Sequence, residues 1–187
     1  MDKSELSDIL KGCVAGKRKA QARLFEAFSE DMFGVCMYYS KDRTDAEDTL
    51  HEGFMKVFQN IRQYGAKGSF AGWVRRIMVN TALEKFRKKQ QMYALGDEFE
   101  CYEDIDTANV INDISAQDLI HLIRELSPKY KMVFNLYAIE GYSHKEIADM
   151  LGISEGTSKS NLARARYILQ KKVKQHYYIS SSKVQNE

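Results

Sequence analysis

The stretch with the most specific chemistry runs from Gly141 to Leu169, GYSHKEIADMLGISEGTSKSNLARARYIL. A short segment with Ile147, Ala148 and Leu151 at helical spacing leads into the turn Gly152-Ile153 and then into a longer basic segment. That order predicts a helix-turn-helix. Ser143, with Glu146 three residues later, reads as a capping box, and Ser154 as the cap of the second helix. Ile147, Ala148, Leu151, Ile153, Leu162 and Ala165 are expected to be buried, with the small Ala148 letting the helices cross closely. Glu155, Thr157, Ser158, Lys159, Ser160 and Asn161 are expected to be exposed on the first turns of the second helix. Groups of this size and polarity can reach base edges in a major groove. Arg164 and Arg166 further along suit phosphate or guanine contacts. The competing reading is a helical hairpin that never meets DNA.

A second constellation lies between Tyr64 and Arg87. Tyr64, Phe70 and Trp73 sit beside Arg75, Arg76, Asn80 and Arg87. Aromatic faces stack on unpaired bases, arginines track the phosphate backbone, and Asn80 has the groups to hydrogen-bond a base edge. Trp73 has two readings, base platform or ordinary core, and both stay open. A third block, DAEDTLHEGFMKVFQNI from Asp45 to Ile61, has one apolar and one charged face. On its own it reads as a core helix with a solvated side.

No catalytic site is expected. The four histidines, His51, His121, His144 and His176, are dispersed and lack metal-ligand spacing, and no glycine-rich phosphate loop occurs. The carboxylates gather in a stretch with no rigid scaffold to hold an acid/base pair. No cofactor, metal or small-molecule substrate is therefore expected.

Helices must position these groups. The chain has 187 residues, one proline and eleven glycines, so long stretches are free of breakers. Apolar residues make up 44% and charged residues 29%, enough for a packed core under a charged surface. Ser4 is expected to cap a helix ending near Ala15, and a second helix runs from about Lys17 to Tyr39. Thr44 and Glu47 read as a capping box opening a third, with Ala46, Leu50, Phe54, Val57, Phe58 and Ile61 on one face. After Gly65 and Gly68, Ser69 is expected to cap a helix reaching about Lys89, with Phe70, Trp73, Val74, Ile77 and Leu83 as its apolar stripe. The second half starts at Ser115, restarts at Ser127-Pro128 and breaks at Gly141.

Charge is segregated. Trp73–Gln91 holds six bases against Glu84, and Gly152–Lys174 holds six against Glu155. Between them, Met92–Asn112 has six acids and no base. Two basic helical ends suggest two polyanion contacts; solvated helix faces are the alternative. The acidic strip lacks a helical period and reads as a linker. Fully extended, it spans ~65 Å, comparable to one or two turns of duplex. The N-terminus has no basic and apolar leader, and no 18-residue apolar run occurs, so neither a signal peptide nor a membrane span is expected. Three cysteines without a CxxC pair fit a reducing cytoplasm. The expected architecture is all-α: residues 1–91 as one small helical bundle, 92–112 as linker, 113–175 as a helix-turn-helix domain, and 176–187 as a flexible tail.

Three blocks in this order, DAEDTLHEGFMKVFQNI, GSFAGWVRRIMVNTALEKFRKK and SPKYKMVFNLYAIEGYSHKEIADMLGISEGTSKSNLARAR, resemble the extracytoplasmic-function (ECF) sigma factors of bacteria. The resemblance covers about Phe25 to Leu169, and the GTSKS form of the recognition helix is similar to that of Bacteroidetes members. It implies a subunit that binds core RNA polymerase and directs promoter-specific initiation. Asp48, His51, Glu52 and Phe54 fall in the segment that binds the β′ clamp helices, with His51 where the family often has glutamine. Residues 64–69 correspond to the loop that captures a flipped −10 base. Phe70, Trp73, Ile77, Asn80 and Arg87 match the melting segment, and Glu84 replaces a usual aspartate. The resulting −10 set is Tyr64, Ser69, Phe70, Trp73, Arg75, Arg76, Ile77, Asn80 and Arg87. The −35 set is Ser154, Glu155, Thr157, Ser158, Lys159, Ser160, Asn161, Arg164 and Arg166, with Ser158 and Asn161 where many relatives have valine and arginine. The implied partners are core polymerase through β′ and β, promoter DNA and a separate anti-sigma factor. The linker of relatives threads through the polymerase, where the acidic strip could mimic nucleic acid. The alternative from the residues alone is a self-sufficient helix-turn-helix regulator that binds its operator without polymerase.

Overall fold

The computed structural model describes residues 2–66, 68–92 and 116–184, and every element among them is helical. The chain divides into two units, Met1–Lys89 and Gln90–Glu187. The acidic strip beyond Met92, including Cys101, lies outside the described residues, as does the expected helix start at Ser115.

In the first unit, α1 (Lys3–Val14) starts one turn-position earlier than expected. Asp2, not Ser4, is the N-cap, because its carboxylate accepts the Ser4 N–H at 3.2 Å. Gly16, at φ +70, ends the segment in a conformation that a side chain would strain. Helix α2 (Arg18–Tyr39) buries Leu24, Met32, Val35, Cys36 and Tyr39. Helix α3 (Arg43–Asn60) also starts earlier than expected. Asp42 is extended and its carboxylate accepts the Asp45 N–H at 2.8 Å, which places Thr44 inside the first turn. Capping by a carboxylate next to the first free N–H groups also offsets the helix dipole.

A 3₁₀ turn, Ile61–Gln63, closes α3, and α4 (Phe70–Met92) follows. Ser69 caps α4 as expected, accepting the Gly72 N–H at 3.1 Å. The core here includes Ala46, Leu50, Phe54, Val57, Val74, Met78, Val79 and Leu83, all buried. Each fully buried aliphatic such as Val57 or Val74 contributes ~1.5–3 kcal/mol relative to exposure. Contact between α3 and α4 depends on Gly53: a Cβ there would sit 2.2 Å from Met78 Sδ, and Met78 is fully buried.

In the second unit, α5 (Ala116–Arg124) and α6 (Pro128–Phe134) precede a π-helical turn, Asn135–Ile139. Pro128 is in the first turn, although the Ser127 side chain makes no capping bond. The helix expected to run on to Gly141 therefore changes its hydrogen-bond pattern after Phe134, with Glu140 N–H donating to Asn135 O. Helix α7 (His144–Leu151) opens with the full capping box of Ser143 and Glu146 and closes on Gly152 at φ +67. Helix α8 (Glu155–Val184) completes the unit. It is helical beyond His176, where a flexible tail was expected; no glycine or proline follows Gly156, so nothing in the backbone terminates it. Leu122, Ile123 and Leu126 pack with Ala165, Leu169 and Val173 to form the unit's core.

Candidate nucleic-acid interface

The first candidate surface is one face of α4. Trp73, Arg76, Asn80 and Arg87 stand at i, i+3, i+7 and i+14, a spacing that returns to one side of a helix. Arg76, Asn80 and Arg87 are exposed, and Trp73 is half-buried. The indole is held by aromatic neighbours: Tyr64 at 5.6 Å and Phe70 at 5.6 Å between ring centroids. Phe70 is buried and also meets Tyr64 at 5.0 Å and Phe28 at 5.4 Å. Phe70 is thus the buried base of the cluster, under the more exposed Tyr64 and Trp73. Only the outer rings, Tyr64 and Trp73, keep free area for stacking on a base.

The loop beside this cluster is closed by its own atoms. Tyr64 Oη donates to Gly68 O at 3.0 Å, and the chain passes through left-handed conformations at Ala66 and Gly68. Ala66 at φ +54 is a strained non-glycine position, the kind that persists where surrounding contacts enforce it. Ser69 is exposed, but its hydroxyl serves the α4 cap. Arg75 and Ile77 are half-buried beside this face.

The basic residues on α4 fall into two groups, inward and outward. Lys85 points inward: its Nζ reaches Thr49 Oγ1 at 2.9 Å, Asp45 Oδ1 at 3.2 Å and Asp45 O at 3.3 Å. Lys89 also meets Asp45 Oδ1, at 3.5 Å. Burial opposes charge on Asp45, but the Lys41 backbone N–H and Lys85 outweigh it and hold the carboxyl below its usual range. Lys85 and Lys89 thus tie α4 to the start of α3, while Arg76, Arg87 and Lys88 are exposed. Sequence reading missed this because a charge count cannot tell an inward lysine from an outward one.

On α3, Asp48 and His51 are exposed, and His51 lies over the Phe25 ring at 6.1 Å. Glu52 is half-buried and pairs with Lys56, which also bonds Glu84 on α4 at 2.8 Å; burial opposes its charge, yet these carboxylates raise the lysine above its ordinary range. Phe54, expected at the surface of this segment, is buried against Phe25, 4.7 Å between centroids. Met55, not singled out in the sequence, is 59% exposed next to Glu52 and His51.

The second candidate surface is the start of α8. Glu155, Lys159, Ser160 and Arg166 are exposed, and Thr157, Asn161 and Arg164 are half-buried. Ser154 Oγ accepts the Thr157 N–H at 3.0 Å and bonds Thr157 Oγ1 at 2.8 Å, so these two hydroxyls form the cap. Lys159 pairs with Glu155 at 2.7 Å, and this contact holds the Glu155 carboxyl below its usual range. Ser160 Oγ donates to Thr157 O at 3.1 Å. Arg164 lies over Tyr167 at 5.4 Å and Arg166 over Tyr137 at 5.7 Å. Ser158 departs from expectation. It is fully buried and bonds His144 Nδ1 at 3.0 Å, because its position on α8 faces α7 and the core. Ile147, Ala148, Leu151, Leu162 and Ala165 are buried as expected, while Ile153 is half-buried.

No cluster of three or more His, Cys, Asp or Glu residues suited to a metal occurs among the described residues. No helix among them is long and apolar enough to cross a membrane.

Residues 24–92 match the family model for Sigma-70 region 2, and residues 116–169 match that for Sigma-70 region 4. The chain is 29% identical over 158 residues to the ECF RNA polymerase sigma factor SigE of Mycolicibacterium smegmatis, covering 82% of this chain and 61% of that protein. It is 26% identical over 177 residues to SigW of Bacillus subtilis, covering 88% and 95%, and 27% identical over 172 residues to the ECF sigma-E factor of Haemophilus influenzae, covering 84% and 89%. Among solved structures, the sigma factor RpoE of Bartonella quintana, in complex with the anti-sigma factor NepR, aligns with a TM-score of 0.49 at 22% identity, covering 82% of this chain and 96% of that one. The two matched regions coincide with the α3–α4 surface and the helix-turn-helix, in the same order along the chain: the protein belongs to the ECF group of sigma-70 family RNA polymerase sigma factors.

Proposed function

We propose that the two surfaces divide the work of promoter use. The first unit, as sigma domain 2, binds core polymerase and opens the −10 element; the second, as sigma domain 4, reads the −35 element. The observation that best supports this is the α4 face, where Arg76, Asn80 and Arg87 flank the aromatic pair Tyr64 and Trp73. Cations there supply a salt-dependent phosphate term. Extruding a base costs a few kcal/mol, and stacking on an aromatic ring offsets that with ~1–3 kcal/mol per base. The outer face of α3, with Asp48, His51, Glu52 and Met55, is the proposed site for the β′ clamp helices. On α8, Glu155, Thr157, Lys159, Ser160 and Asn161 approach base edges, and Arg166 approaches phosphate.

Bond-making chemistry then belongs to the polymerase. The reading also implies a cytoplasmic protein, contact with the β subunit, control by a separate anti-sigma factor, and an acidic linker between the domains. The GTSKS segment supports a Bacteroidetes-like member.

The test is permanganate footprinting of candidate promoters with core polymerase, with and without this protein. Thymines near −10 that react only when both are present support the reading. Protection of DNA by the protein alone, with no opening, would support the self-sufficient regulator instead.

A further inference from the structure

His144, the first residue of α7, meets Ser158 of α8 at 3.0 Å. Ser158 is on the first turns of the recognition helix α8, yet it is fully buried. A buried hydroxyl needs a partner for its hydrogen. Elsewhere in this fold, helical hydroxyls bond back to their own helix: Thr49 donates to Asp45 O at 2.7 Å and Thr81 to Ile77 O at 2.8 Å. Among the described residues, the Ser158 hydroxyl instead has His144 Nδ1 as its partner, at 3.0 Å. Donation from Oγ to Nδ1 satisfies the buried hydrogen and requires a neutral imidazole with its proton on Nε2. The ring itself is held by Tyr137, stacked at 4.7 Å between centroids with the planes 23° apart. Tyr137 belongs to the π-helical turn Asn135–Ile139 and also lies under Arg166 of α8. The chain of contacts therefore runs from the π turn through the first residue of α7 into the recognition helix.

We propose that His144 is a positioning residue for −35 reading: through Ser158 it fixes the rotation of α8, and so the approach of Lys159, Ser160 and Asn161 to base edges. It does not itself touch DNA. Burial of Leu162 and Ala165 holds α8 in the core of the unit, but burial is not directional and by itself fixes the rotation of the helix less than a hydrogen bond does. A single hydrogen bond of defined geometry within the first turn removes that freedom. The proposal rests on the −35 assignment of α8.

The experiment uses the full chain bound to core polymerase, on a promoter with its best −35 element and on single-base variants of that element. The readout is the discrimination ratio, best element over variants, with melting of the free protein measured in parallel. His144→Phe keeps an aromatic ring on Tyr137 but removes the acceptor, and should lower the ratio about tenfold, the equivalent of ~1.4 kcal/mol. Ser158→Ala removes the other partner and should lower it similarly. The double variant should be no worse than either single one, because both lose the same contact. His144→Asn places an amide oxygen where Nδ1 stood and should restore the ratio to within about threefold. An unchanged ratio in both His144→Phe and Ser158→Ala, even with lower melting temperatures, would overturn the proposal and leave the pair a plain stability contact. Additive losses in the double variant would also overturn it. If the unmodified protein shows no −35 discrimination, the −35 assignment itself fails, a distinct outcome.

Discussion

Replacing Lys85 and Arg87 by methionine, one at a time, separates the two uses of basic charge on α4. Lys85 Nζ has three oxygen contacts within 3.3 Å, its side chain is 22% exposed, and that of its partner Asp45 is 15% exposed. Exposed pairs contribute at most ~1 kcal/mol, and breaking a fully buried pair costs ~3–5 kcal/mol. An intermediate site that keeps the Lys41 N–H and Lys89 on Asp45 should lose about 2 kcal/mol in Lys85→Met. For a unit of this size, 1 kcal/mol moves the melting temperature by ~4–8 °C, so the first unit should melt about 8–16 °C lower. Arg87 is exposed, and Arg87→Met should shift melting by no more than ~4 °C. On DNA the order reverses. Each phosphate contact adds ~0.9 to the slope of log K against log salt. Arg87→Met should therefore reduce the slope for promoter binding by the holoenzyme by about one, and Lys85→Met should leave it unchanged. Acid adds a further check. Because the folded Asp45 carboxyl titrates below its usual range, its contribution is fully present above the unfolded value and is lost as pH falls through the folded one. The melting gap between the unmodified protein and Lys85→Met should thus be full at neutral pH and close in acid. A Lys85→Met variant that melts normally and loses a unit of salt slope would refute the inward assignment.

Other changes test the remaining contacts. Gly53→Ala should destabilise the first unit by ~1–3 kcal/mol in denaturant titration despite alanine's better helix propensity, because the new methyl meets the fully buried Met78. Phe54→Ala should cost ~3–5 kcal/mol of stability, and a stable protein with selectively weakened polymerase binding would show that Phe54 is a contact after all. Trp73→Ala should reduce permanganate reactivity near −10 more than closed-complex affinity, and equal losses would mark the indole as core. Ser143→Ala removes the hydroxyl half of the capping box, leaves the residue-143 N–H on Glu146, and should cost ~1 kcal/mol, measured by melting of the second unit.

The chain alone specified its helices and their order, because periodicity, glycine breaks and capping residues are local. Ser69, Ser143 with Glu146, and Gly152 act where their types and spacing placed them. The helix starts at Asp2 and Asp42 were missed by a turn or less, since several cap-competent residues stand in a row and only backbone conformation chooses among them. Side-chain direction was decided by tertiary structure. Phe54, Phe70 and Ser158 have residue types and positions compatible with contact, yet packing turns them inward. Lys85 counts toward a basic face but is committed to Asp45, an acid forty residues away. His144 looked isolated in sequence and gained its partner only when α7 crossed α8. Helical period determines which residues share a face, but which face meets a neighbour depends on how the helices pack, and that is a property of the whole fold.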